Sequence, residues 1–107
     1  MIKKENLLEC PVATTVSLIG SKWKLLILRD LLTGTKRFGQ LKKSLSDISQ
    51  KVLTESLKSM VDDGIVERVA YSEVPPRVEY SLTDLGESMR PVIFVMEQWG
   101  KEYKESI

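Results

Sequence analysis

The chain has 107 residues, of which 42% are hydrophobic and 29% charged, with a net charge of +1 at pH 7. That is the length of one ordinary domain, with enough apolar material for a small core. One Cys and no His exclude an internal disulfide framework, a zinc set and a Cys–His or Ser–His nucleophile pair, and suit a reducing cytoplasm.

Residues 2–9 read as a short mixed lead-in. The start, Met-Ile-Lys-Lys-Glu-Asn, is not a signal peptide, and no apolar run reaches the length of a membrane span. Cys10-Pro11 opens the first helix, because proline's missing N–H is harmless in a first turn. Val12, Val16 and Ile19 share one face of it up to Gly20. Ser21 caps a second helix over 22–32, apolar over most of its girth through Trp23, Leu25, Leu26, Ile27, Leu28, Leu31 and Leu32, so it belongs at the centre of a core. Gly34 ends it. Thr35-Lys36-Arg37-Phe38 is an extended link with room for one strand. A short helix over 39–45 follows, with Phe38, Leu41 and Leu45 inward and Lys42 and Lys43 outward.

After the tight connection Ser46-Asp47-Ile48 comes a helix with a clear start and stop. Asp47 and Ser49 can each accept a bond from the free N–H groups of its first turn. Gly64 can take the left-handed conformation that closes its last. Leu53, Leu57 and Met60, with Val61 at the edge, form its buried stripe. Ser49, Gln50, Lys51, Thr54, Glu55 and Lys58 stand outward. Alone, such a face is a solvated surface. Here it follows a short helix and a tight turn, which makes a helix-turn-helix. Gln, Ser, Thr and Lys have the donors and acceptors that read base edges and phosphates from a major groove.

Charge is distributed to match. Residues 1–35 carry five Lys/Arg against three Asp/Glu (+2), residues 36–58 six against two (+4), and residues 59–107 five against ten (−5). A focused basic patch on a near-neutral chain is the footprint of phosphate binding. Lys36, Arg37, Lys42, Lys43 and Lys58 are the backbone-contact candidates. Ser49, Gln50, Lys51 and Thr54 are the candidates for base or phosphate contact.

Beyond Gly64 the period changes to alternation. Strands over 65–71 and 77–82 flank Ser-Glu-Val-Pro-Pro, where consecutive prolines cannot continue a ladder. A hairpin directly after such a helix occupies the place of a wing. Arg77 at its tip either reaches a phosphate or the minor groove or is a plain surface arginine beside Glu79. Thr83 caps a last helix running to about residue 106. Its apolar residues Leu85, Met89, Val92, Met96, Trp99 and Tyr103 are spaced 4, 3, 4, 3, 4, the seam of a coiled coil. Ile93, Phe94 and Val95 widen the apolar surface, so one side packs on its own domain and the other on a second copy, unless the whole surface is buried within the subunit. Pro91 predicts a kink over 87–89.

There is no Gly-rich phosphate loop, no catalytic constellation and no cofactor motif, so the chain does not read as an enzyme. The fold expected is mainly α with a small β-hairpin: a single winged helix-turn-helix domain over 1–107. A homodimer on double-stranded DNA is the first functional reading. A winged-helix module that binds protein is the second, and the acidic second half would suit it.

Six stretches carry a resemblance: Cys10-Pro11-Val12, Gly20-Ser21-Lys22-Trp23, Arg37-Phe38-Gly39-Gln40-Leu41, Ile48-Ser49-Gln50-Lys51-Val52-Leu53-Thr54, Asp63-Gly64-Ile65-Val66, and Pro76-Arg77-Val78-Glu79-Tyr80-Ser81-Leu82-Thr83-Asp84-Leu85-Gly86. In this order and spacing the chain resembles the HxlR-type branch of the MarR-like winged helix-turn-helix regulators. The resemblance implies a dimeric bacterial DNA-binding regulator of transcription. Its first and last helices form the dimer, which puts Val12 and Val16 beside the terminal seam. Some members sense oxidants or electrophiles through a Cys in the N-terminal segment. Cys10 stands in that place, beside a helix N-terminus whose dipole favours negative charge and near Lys3 and Lys4 in sequence. The alternative is an inert residue packed against the last helix. Any inducer is therefore an oxidant, an electrophile or another small molecule.

Overall fold

The computed structural model describes residues 10–107; the lead-in over 2–9, including Lys3 and Lys4, lies outside the described residues. The elements run α1 (Pro11–Ile19), α2 (Lys22–Leu31), β1 (Lys36–Arg37), α3 (Phe38–Ser44), α4 (Gln50–Asp62), β2 (Val66–Tyr71), β3 (Arg77–Leu82), α5 (Asp84–Glu87) and α6 (Arg90–Glu105). The fold is a winged helix-turn-helix with a three-stranded antiparallel sheet in the order β1-β3-β2.

Local chemistry explains most boundaries. The Ser21 hydroxyl accepts from the Lys24 N–H at 3.1 Å, and the Ser49 hydroxyl from the Val52 N–H at 3.1 Å. Ser49, not Asp47, is thus the N-cap of α4. At the other end Gly64 has φ 75°, and the Ile65 N–H donates to the Met60 carbonyl at 2.9 Å while the Gly64 N–H donates to Val61 at 3.0 Å. These two bonds are the Schellman closure that a left-handed glycine permits. Phe38 begins α3 instead of ending the extended link, because the Gln40 side chain accepts from the Arg37 N–H at 2.8 Å and fixes the first turn there.

α2 lies at the centre, with Ile27, Leu28 and Leu31 buried against Leu41 and Leu45 of the α3 segment, Leu53, Leu57 and Met60 of α4, and Tyr80 of β3. Burying each such side chain is worth about 1.5–3 kcal/mol. Lys24 also ties α2 to α4: its Nζ donates to Ser59 Oγ at 2.8 Å. Thr83 joins the wing to the end of α4. Its N–H donates to the Ile65 carbonyl at 3.1 Å, its hydroxyl to the Gly64 carbonyl, and its Oγ1 accepts from the Gly86 N–H at 3.2 Å. Gly86 sits so close to the Ile65 carbonyl oxygen that a Cβ there would overlap it.

The C-terminal region departs from one continuous helix. It is interrupted at Ser88 and Met89, one residue ahead of Pro91, so α5 and α6 are separate. Proline has no N–H to give and its ring crowds the carbonyl four residues back. The backbone stays near-helical at Ser88 and Met89, but the regular helix is interrupted there, and the apolar seam is split at the expected kink. Met89, expected in the dimer seam, is half-buried and packs on the core. The seam beyond the interruption stays open: Val92, Met96, Trp99 and Tyr103 are exposed, as are Leu85 on α5 and Val12 and Val16 on α1. The Cα radius of gyration, 15.1 Å, exceeds the roughly 13 Å of a compact domain of this length. That fits helices carrying uncovered apolar faces away from the core.

Candidate nucleic-acid interface

The outward face of α4 is built by periodicity. Gln50, Thr54 and Lys58 follow one another at four-residue spacing, with Lys51 beside them, and all four are exposed. One residue away from this stripe, Leu53 and Leu57 are buried in the core. The helix is therefore fixed from below while its polar side stands free. Ser49 is exposed at its start. The Ser49 oxygen accepts from Val52, which leaves the hydroxyl proton available for an outside acceptor.

The other expected residues divide into two groups. Lys43 is exposed and Lys42 half-buried on α3, the first helix of the helix-turn-helix. Lys36 and Arg37 form β1, on the far edge of the sheet from the β2 strand that follows α4, opposite Tyr80 and Glu79 of β3. Arg77 is engaged within the wing itself. Its Nη2 lies 3.1 Å from Glu73, its Nε 3.8 Å from Glu79, and its guanidinium 4.1 Å from the centre of the Tyr71 ring. These contacts brace the hairpin, and they leave Arg77 only partly exposed.

Two residues that sequence reasoning passed over bear on α4. Lys24 ties α2 to α4 through Ser59, and its signal was a lysine set between Trp23 and Leu25 on the central helix. Arg68 on β2 is exposed and shares a cleft with Thr54 and Lys58. It looked like an ordinary outward strand residue, since its proximity to α4 depends on the chain reversal at Gly64 laying β2 back along the helix.

Cys10 is exposed at the N-cap of α1. Its carbonyl accepts from the Thr14 N–H at 3.0 Å and from the Thr14 hydroxyl at 3.2 Å. No helix among the described residues is long and apolar enough to cross a membrane.

A family model described as HxlR-like helix-turn-helix matches residues 18–107. The chain belongs to this family. It is a helix-turn-helix regulator of transcription, as are its relatives by name. It is 46% identical over 98 residues to the HTH-type transcriptional regulator YdeP of Bacillus subtilis, covering 92% of this chain and 77% of that protein. Among solved structures, the reduced form of the redox regulator HypR superposes with a TM-score of 0.87 at 38% identity, covering 91% of this chain and 96% of that one. A MarR-family transcriptional regulator from Porphyromonas gingivalis superposes at 0.85 with 40% identity, covering 95% and 97%. The reduced form of the regulator YodB from B. subtilis superposes at 0.79 with 36% identity, covering 94% and 99%.

Proposed function

We propose that the protein acts in the cytoplasm as a homodimer that binds double-stranded DNA sequence-specifically, with α4 in the major groove. The observation that carries this reading is the exposed Gln50–Lys51–Thr54–Lys58 face on a segment with a local charge of +4, held on the core by Leu53 and Leu57. Lys42 and Lys43 contact phosphates from α3, and Ser49 contributes at the start of α4. Lys36 and Arg37 reach only flanking phosphates, from the sheet edge.

Affinity for duplex DNA measured across a salt series tests the reading. Each phosphate contact adds about 0.9 to the slope of log K against log salt. Lys42→Ala and Lys43→Ala should weaken all sequences alike and flatten that slope. Gln50→Ala should change base preference, because an amide pairs bidentately with adenine. Selected operators should carry half-sites about 34–36 Å apart, or a multiple of that. Salt-insensitive binding, or none, would favour the protein-binding module.

Redox control through Cys10 is the second part of the proposal, supported by its exposure and by the likeness to HypR, a redox regulator by name. With one Cys in the chain, a disulfide forms between subunits or with a small thiol. Diamide treatment should change DNA affinity for the parent and leave Cys10→Ser unmoved. An unchanged affinity with Cys10 shown modified by mass spectrometry would rule the switch out.

A further inference from the structure

We infer that the cleft between α4 and the first wing strand seats one DNA backbone phosphate, and that Arg68 is the wing's principal DNA-contacting residue. This rests on the DNA-binding reading and adds a contact to it. The cleft has a volume of about 250 Å³ and is lined by Thr54, Leu57, Lys58, Val61, Arg68 and Tyr80. No carboxylate lines it.

Two elements bring its charges together. Arg68 pairs with Tyr80 across the β2–β3 ladder. Directly opposed residues share a face of the sheet, and Tyr80 is buried. The Arg68 stem therefore lies over an apolar base while its head stays in solvent, the usual way a long cationic side chain sits. Thr54 and Lys58 bound the cleft from α4, and they continue the stripe that begins at Gln50. A backbone followed outward from the groove read by Gln50 thus meets Thr54, Lys58 and Arg68 together.

The floor of the cleft is apolar, from Leu57, Val61 and Tyr80, and the exposed Thr54, Lys58 and Arg68 stand at its rim; the rim chemistry suits a phosphodiester. A guanidinium presents parallel N–H groups that match two phosphate oxygens, an ammonium adds a point charge, and a hydroxyl donates a third bond. Among the described residues, neither Lys58 nor Arg68 has an ion-pair or hydrogen-bond partner. Arg77 contrasts with them, being held between Glu73 and Glu79. The wing cation left for DNA is the one beside the recognition helix, not the one nearest the tip.

The test uses the full chain and an operator duplex obtained by selection from random DNA, with bulk DNA in parallel. Arg68→Gln should weaken binding about tenfold per half-site on both and lower the salt slope by about one per subunit. Arg77→Gln should leave the slope unchanged. A scan with single neutral methylphosphonates should find one position per half-site that weakens the parent but not Arg68→Gln. Lys58→Gln, at an exposed helix position, should lose sensitivity at that same position. A parental slope for Arg68→Gln, or different phosphates for the two variants, would overturn the inference while leaving DNA binding intact. Should Arg68→Gln fold poorly, the Lys58→Gln scan decides alone: it must lose one methylphosphonate-sensitive position. A parent that binds no DNA at low salt would instead remove the reading beneath it.

Discussion

Trp99→Asp should turn a dimer of twice 12.2 kDa into a 12.2 kDa monomer and abolish tight operator binding. Trp99 is 65% exposed on α6 and stacks on Tyr103, with ring centroids 5.6 Å apart and planes within 7°. An aromatic pair this open on a regulator's terminal helix needs an outside surface to cover it. Val92 and Met96 extend the same strip toward α5, and Val12 and Val16 add a second apolar face on α1. Truncating a buried interface tryptophan commonly costs about 2 kcal/mol or more. A two-fold interface contains the residue twice, and an unpaired carboxylate adds a desolvation cost. Together these give at least about 4 kcal/mol, on the order of a thousandfold in the dimer dissociation constant. Light scattering at micromolar concentration measures the mass directly. A dimer that persists in Trp99→Asp would show that subunits associate through another face. Because Trp99 is not part of the core, the helical signal of the subunit should be retained.

Elements were legible where the determining contacts are local. Ser21, Ser49 and Thr83 each cap a helix by accepting a backbone N–H three residues on, a relation contained in four residues of sequence. Gly64 ends α4 for a reason carried by that residue alone. The outer stripe of α4 follows from the inner one by periodicity. What depended on chain reversal was harder to see. Glu79 beside Arg77 was visible as a neighbour, but Glu73 and the Tyr71 ring reach the same guanidinium only after the hairpin closes. Arg68 comes to share a cleft with Lys58 only because the chain reverses at Gly64. Pro91 marked the site of a bend, yet whether a helix bends or is interrupted depends on what else packs there. Met89 is drawn onto the core beside the interruption, so a residue that sequence spacing placed in an outer seam faces inward.

Leu53→Ala and Thr54→Ala lie one residue apart on α4 and should separate folding from recognition. Leu53 is fully buried and packs in the cluster around α2, whereas Thr54 is exposed. Removing a buried leucine leaves a cavity that surrounding side chains only partly fill, and costs about 2–5 kcal/mol. Small domains have only about 5–15 kcal/mol in total. Leu53→Ala should therefore lower the melting temperature by about 10 °C or more at fixed protein concentration. Operator DNA, which binds only the folded form, should recover part of that loss. Thr54→Ala should leave melting nearly unchanged, since it removes a solvent-facing hydroxyl at a position where alanine is a good helix former. Its effect should fall on DNA affinity alone. Thermal melts with and without operator, together with titrations well below the transition, distinguish the two. If Thr54→Ala destabilised the fold as strongly as Leu53→Ala, the orientation of α4 derived from its burial pattern would be wrong. The assignment of Gln50, Lys51, Thr54 and Lys58 to the DNA side would then fail with it.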